Sequence, residues 1–93
     1  MFMHLVIHHP KPEYVDEVLA SMGRAAAVGQ GVPGLVEMGP WRSTVDDRLI
    51  GFALWESEAA YAASRDQIFA VVADDPFEVW LARPSEAFRT NLA

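Results

Sequence analysis

The sequence contains no cysteine, which excludes disulfides, iron–sulfur clusters and thiolate metal sites. It is also short of positive charge: seven lysines and arginines face thirteen aspartates and glutamates, for a net charge of −6. No basic cluster and no basic helix face occurs, so the negative field argues against nucleic acid and membrane surfaces as partners. No apolar run is long enough to span a bilayer. The opening "MFMHLVIHHP" is broken by three histidines and a proline, lacks a basic start, and does not read as a signal peptide. There is no P-loop, and the one G-x-G-x-x-G string, "GQGVPG" (29–34), closes a helical pattern instead of joining a strand to a helix, so no cradle for a nucleotide cofactor is visible.

What is present is a chain of 93 residues, 52% of them apolar. That suits a single domain over 1–93 with a true core. Internal repeats, linkers and low-complexity tracts are missing, and the expectation is an acidic, cytoplasmic protein.

Hydropathy periods order the elements. Residues 2–9 alternate as a strand, with Met3, Leu5 and Ile7 on one face and His4, Val6 and His8 on the other. Pro12 and the acids Glu13, Asp16 and Glu17 suit a helix start, and Val15, Val18, Leu19, Met22, Ala25 and Ala26 continue its apolar stripe. "GQGVPG" ends it. Two strands, 35–43 and 48–56, flank the turn "TVDD", and Gly39-Pro40 implies a bulge or an edge strand. Ser57 caps a second helix that continues through Ile68 and Phe69 toward Val71 and Val72. Phe77, Trp80 and Leu81 are spaced for one turn that Pro84 ends, and 85–91 form a last strand. The order βαββαβ predicts an α+β, ferredoxin-like antiparallel sheet with both helices on one face. In the third strand Ile50, Phe52 and Leu54 form one face and Gly51, Ala53 and Trp55 the other, and neither is polar. Two helices cover one side only, so the pattern predicts a homodimer in which two sheets pack face to face.

The run "FALWESEAAYAAS", with the opening strand and its proline-rich exit, "VPGLVEMGPWRS" and "PFEVWLARPSEAFR", resembles the antibiotic biosynthesis monooxygenase family of dimeric α/β-barrel proteins. The resemblance implies a cofactor-independent monooxygenase acting on an aromatic phenol or quinol. It also implies that Trp55 and Tyr61 border the substrate. The family's pocket asparagine, four residues before the tryptophan, is replaced by Gly51, and Arg65 is the arginine nearest the motif. The haem-degrading members depend on second-helix histidine and tryptophan residues that this chain lacks.

The residues themselves leave two readings open. Gly51 and Ala53 are small and share the Trp55 face, leaving volume beside it for a small aromatic ligand. A buried tyrosine hydroxyl needs a partner, which a bound phenol or a water would supply. His4 and His8 share one strand face, expected roughly 7 Å apart, too far for a tight pair but able to border one cavity. Imidazole is suited to removing a phenolic proton near neutral pH. The candidate catalytic residues are therefore His4, His8 and Tyr61, with Trp55, Gly51 and Arg65 around the substrate. No histidine–carboxylate spacing asks for a metal, and the pairs Asp46-Asp47 and Asp74-Asp75 read as turn residues. The alternative is a non-catalytic, small-molecule-binding or stress-related domain in which these side chains only pack.

Overall fold

A computed structural model describes all residues, 1–93. Strand β1 (Phe2–Pro10) leads through a 3₁₀ turn at Pro12–Tyr14 into helix α1 (Val15–Gly29). Strands β2 (Leu35–Arg42) and β3 (Leu49–Trp55) follow, then helix α2 (Glu58–Phe69), a 3₁₀ turn at Ala70–Val72, the single turn α3 (Phe77–Trp80) and strand β4 (Leu81–Asn91). The sheet order is β2-β3-β1-β4, with every pairing antiparallel. This is the ferredoxin-like α+β arrangement. β1 and β3 occupy the two inner positions, and β2 and β4 the edges.

Register fixes the faces. Val6 stands opposite Gly51 in β3 and Ala87 in β4, and His4 opposite Ala53 and Arg89. Side chains alternate along each strand, so Phe2, His4, Val6 and His8 share the helix-covered face with Leu49, Gly51, Ala53 and Trp55. Phe2, Ala25, Ala53, Trp55, Tyr61 and Ile68 form the buried core there. The opposite face carries Met3, Leu5, Ile7, Ile50, Phe52 and Leu54, none of them fully buried. Trp41 and Phe88 are exposed outright.

The helix ends follow from local chemistry. Ser57 Oγ accepts a hydrogen bond from the Ala60 amide at 3.1 Å, the cap expected of a serine before a helix. The link from α1 to β2 turns at Gly34, whose φ is +83°. A Cβ there would stand 2.5 Å from the Ala60 Cβ, so backbone conformation and space both demand glycine. The Gly34 carbonyl accepts from the Glu56 amide at 2.8 Å, tying this turn to the start of α2.

Three details differ from the sequence expectation. The irregularity in β2 falls between Leu35 and Glu37, not at Gly39-Pro40, which pair in register with Phe52 and Gly51. Pro40 is tolerated because β2 is an edge strand with one unpaired side. β4 begins at Leu81 rather than at 85 and runs through Pro84, again on an edge. Asp75 is more than a turn residue, since its carboxylate accepts from the buried Ser21 hydroxyl at 2.6 Å and pairs with Arg24, tying the α2–α3 link to α1.

Candidate functional site

A cavity of about 200 Å³ opens between the sheet and the helices. Its floor is the helix-covered face of the sheet: His4, Val6 and His8 from β1, Gly51 and Ala53 from β3, and Met38 and Pro40 from β2. Its roof is Ser21, Met22 and Ala25 of α1, and Phe69, Val72 and Phe77 close one side. The volume exists because β3 places Gly51 and Ala53 where larger side chains would reach the helix. A Cβ on Gly51 would come within 3.2 Å of Met22 Cε, so the space above it is partly filled by that flexible side chain. The cavity is smaller than the roughly 300–1,000 Å³ of drug-sized ligand sites, and suits a compact ring system.

His4 and His8 both reach this cavity, but they are not one pleat repeat apart. Four residues of strand separate them by about 13 Å, with Val6 between, so they stand at two ends of the space rather than roughly 7 Å apart. At one end, the His8 ring stacks on Phe77, with centroids 5.6 Å apart and planes 21° from parallel. Its Nδ1 lies 2.6 Å from Ser85 Oγ of β4. Nε2 is therefore the nitrogen left to exchange a proton with a ligand, and it carries the lone pair when Nδ1–H donates to the serine. The contact is possible because the β1–β4 register shifts between Ile7 and His9, leaving His8 without a ladder partner in β4. Next to it, buried His9 meets Glu86 Oε1 at 2.7 Å through Nε2 and an Arg83 nitrogen at 3.2 Å through Nδ1. Burial lowers the His8 pKa below its ordinary 6.5, and neighbouring His9 lowers it further.

At the other end, the His4 ring lies 5.3 Å from Tyr61 and meets Phe69 edge-on at 6.0 Å. Its pKa is also lowered, first by burial and then by the charges of Arg65 and Arg89. Both imidazoles are thus biased toward the neutral form, which can accept a proton.

Trp55 and Tyr61 sit behind this wall rather than on it. They are 1% and 4% exposed, members of the core cluster, and neither lines the cavity. Their rings meet edge-on at 5.9 Å, and Tyr61 also packs on Phe2 at 4.9 Å. The Trp55 Nε1 is buried with no hydrogen-bond acceptor. Arg65 stands over the Tyr61 and Phe69 rings, at 5.2 and 5.6 Å, next to the cavity wall but not in it. No three histidine, aspartate or glutamate side chains converge as a metal cluster would require, and no helix is long and apolar enough to cross a membrane.

Comparison with known proteins addresses the fold. No protein-family model and no curated protein sequence matches the chain. Solved structures do. An antibiotic biosynthesis monooxygenase superposes with a TM-score of 0.80 at 14% identity, covering 100% of this chain and 99% of that one. The chain has the fold of the antibiotic biosynthesis monooxygenases. A variant of SnoaB, a cofactor-independent oxygenase from Streptomyces nogalater, matches at a TM-score of 0.79 and 16% identity over 98% of this chain and 91% of its own. The Mycobacterium tuberculosis protein Rv0793 matches at 0.83 and 14% identity, over 99% and 94%. The monooxygenase fold thus covers the whole chain while five residues in six or more differ.

Sequence reasoning named His4, His8 and Gly51 among the residues that the fold brings to the cavity. It did not name Ser85 or Arg89. Nothing in the local pattern marks either one, because each meets its partner only through the β1–β4 pairing. Met22 and Phe69 were visible only as part of apolar helical stretches, where a core residue and a cavity wall look alike, and Ser21 is a polar position outside the α1 stripe.

Proposed function

We propose that the chain is a cofactor-independent monooxygenase acting on a compact, electron-rich phenol or quinol held in the cavity between sheet and helices. The observation that carries this reading is an apolar cavity with two imidazoles at its ends, both biased toward the neutral form by burial. The likeness to a cofactor-independent oxygenase fold supports it.

The chemistry asks little of the protein beyond a base and exclusion of water. A phenol that tautomerises to an activated CH₂ group loses its hydroxyl proton to an imidazole, and the resulting anion is a strong one-electron donor. It reduces dioxygen to superoxide, and the two radicals combine to form a carbon–oxygen bond. The imidazolium returns its proton to the peroxide. Loss of water from this hydroperoxide, with departure of the remaining C–H proton, leaves a carbonyl. The balance is CH₂ plus O₂ to C=O plus H₂O, with all four electrons supplied by the substrate. His8, held by Ser85 and Phe77, is the better oriented base, and the apolar walls protect the radical pair and the peroxide from water. Trp55 and Tyr61 act indirectly, by packing behind His4.

The test is oxygen uptake by the metal-free protein with a panel of anthrone-like phenols and quinols. Uptake above the uncatalysed rate, lost in His8→Asn, supports the reading. Background uptake with every compound rejects it and leaves a binding domain.

The assembly proposed with this function is a homodimer. The sheet face of Met3, Leu5, Ile7, Ile50, Phe52 and Leu54 has no helix over it, and Trp41 and Phe88 extend it as exposed aromatics. A contiguous apolar face of this kind is rare on a monomer. A second copy of the same face would cover it as a closed, self-complementary pair.

A further inference from the structure

With seven cations against thirteen acids, every arginine has carboxylates in excess to choose from. Arg24 pairs with Asp75 and Arg48 with Asp46, and Arg83 is engaged by His9. Arg42 makes only a loose contact with the exposed Asp16, at 3.9 Å, and Arg65 and Arg89 are set apart by the ring they share. Arg89 takes part in none of the ion pairs. Arg65 has only a loose contact with the exposed Asp66, at 3.8 Å, and its Nε is buried with no acceptor. The side chain as a whole is 37% exposed, but this one donor is shielded, and a ligand oxygen would satisfy it.

The two guanidiniums reach one aromatic ring from different elements. Arg65 projects from α2, and Arg89 comes from β4, where it is the ladder partner of His4. Both lie over the same ring, that of Tyr61, at 5.2 and 5.8 Å from its centre. The ring attracts each cation, but the two charges repel each other, and an anion between them would remove that repulsion. Their field reaches the cavity. His4 lies on its wall, 5.3 Å from Tyr61, and Phe69, which lines the cavity, has the Arg65 guanidinium 5.6 Å from its centre.

We propose that Arg65 and Arg89 form an anion subsite at the His4 end of the cavity, and that the ligand is an aromatic carboxylic acid. Its ring lies in the cavity and its carboxylate meets the two guanidiniums. A planar carboxylate matches the fork of donors that each arginine offers. A single negative charge also fits better than a polyanion, because the rest of the molecule is acidic and repels further charge. Arg89 is thereby a specificity-determining residue that reaches the site from the strand beside β1. The inference rests on the cavity being the ligand site.

The experiment is a matched-pair titration of the intact protein at pH 7.5 with 1-naphthol and with 1-hydroxy-2-naphthoate, followed by tryptophan fluorescence or calorimetry. The naphthoate is expected to bind about tenfold more tightly or better, the usual return of charge-assisted hydrogen bonds. Arg89→Gln and Arg65→Gln should each abolish that preference and leave naphthol affinity within about twofold. Circular dichroism checks that the variants fold, and exposed Arg89 is the safer of the two. The protein's net charge of −6 disfavours anions in bulk, so a preference for the naphthoate is not a bulk-charge effect. Equal affinity of the two compounds for the wild type, or a preference that survives in both variants, overturns the subsite while leaving the cavity reading intact. Binding of neither compound overturns both.

Discussion

His8 and Ser85 stand 77 residues apart in the chain, yet the serine hydroxyl oxygen is 2.6 Å from the imidazole Nδ1. The serine orients the ring and selects the nitrogen left for chemistry, as hydrogen-bonded partners of functional histidines generally do. Ser85 is exposed, so the pair contributes little to stability, and its effect should show in function. In Ser85→Ala we expect the melting temperature to move by no more than a degree or two. Turnover should fall about tenfold, with Nδ1–H and Nε2–H tautomers mixing in the imidazole ¹⁵N spectrum. An unchanged tautomer signature would show that Phe77 stacking alone holds the ring.

A second expectation concerns pH. Burial first, then the Arg65 and Arg89 charges at His4 and His9 at His8, holds both pKa values below the ordinary 6.5. The unfolded chain therefore binds protons that the folded one refuses. Stability should be level above pH about 7, fall as pH drops through 6.5, and level again once the folded-state histidines are themselves protonated. The urea midpoint at pH 7.5 and at pH 5.5 measures this, and a His4→Asn, His8→Asn double variant should show a smaller difference. The Asp46 carboxyl, which Arg48 holds below its ordinary value of 3.8, stays ionised across that window and does not contribute.

Gly51 offers a test of the cavity that leaves the fold intact. The added methyl group of Gly51→Ala would meet only the mobile end of Met22, at 3.2 Å, and alanine loses less chain entropy than glycine on folding. Stability should stay within about 1 kcal/mol of the parent. Affinity for a ring-sized ligand should nevertheless fall severalfold, as titration of the two proteins side by side would report.

The uncovered sheet face makes its own demand. Light scattering should find a dimer at micromolar concentration, and Leu54→Lys should yield a monomer with a lower melting temperature. A charge buried unpaired in an apolar seam costs several kcal/mol, whereas the same lysine on a free face would cost little. Wild-type protein that scatters as a 10.3 kDa particle would remove the proposed pairing.

At Gly34→Ala the expected loss is larger than at any surface position. The φ of +83° and the 2.5 Å approach to the Ala60 Cβ act together, and roughly 2–3 kcal/mol is expected from strain alone. Thermal denaturation is sufficient to check it.

Much of this arrangement was legible in the sequence, for reasons that particular residues make plain. The alternation of Met3, Leu5 and Ile7 with His4, Val6 and His8 set both faces of β1, and Ser57 marked the start of α2. Small residues at Gly51 and Ala53 announced a space beside Trp55, but not which face of the sheet would carry it. The start of β4 was obscured by Pro84, which reads as a stop and is in fact carried on a free edge. The spacing of His4 and His8 was read too short by one pleat repeat. Trp55 and Tyr61 illustrate a further limit: an aromatic pair at a strand–helix seam looks the same whether it faces a ligand or the core. The contacts of Ser85 and Arg89 were invisible because register across 77 and 85 residues leaves no local trace.

β1 receives partners only from far along the chain, from β3 about fifty residues later and from β4 about eighty. During synthesis β1 must therefore wait unpaired until β3 has left the ribosome, and its second edge stays open until β4 follows. Folding dominated by such distant contacts is slow, and an unpaired apolar strand is a hazard in the interval. The same topology makes the site an all-or-none product, since Ser85 and Arg89 reach His8 and His4 only when the final strand docks. A chain interrupted before β4 would lack Ser85 and Arg89 and have no such partner for either imidazole.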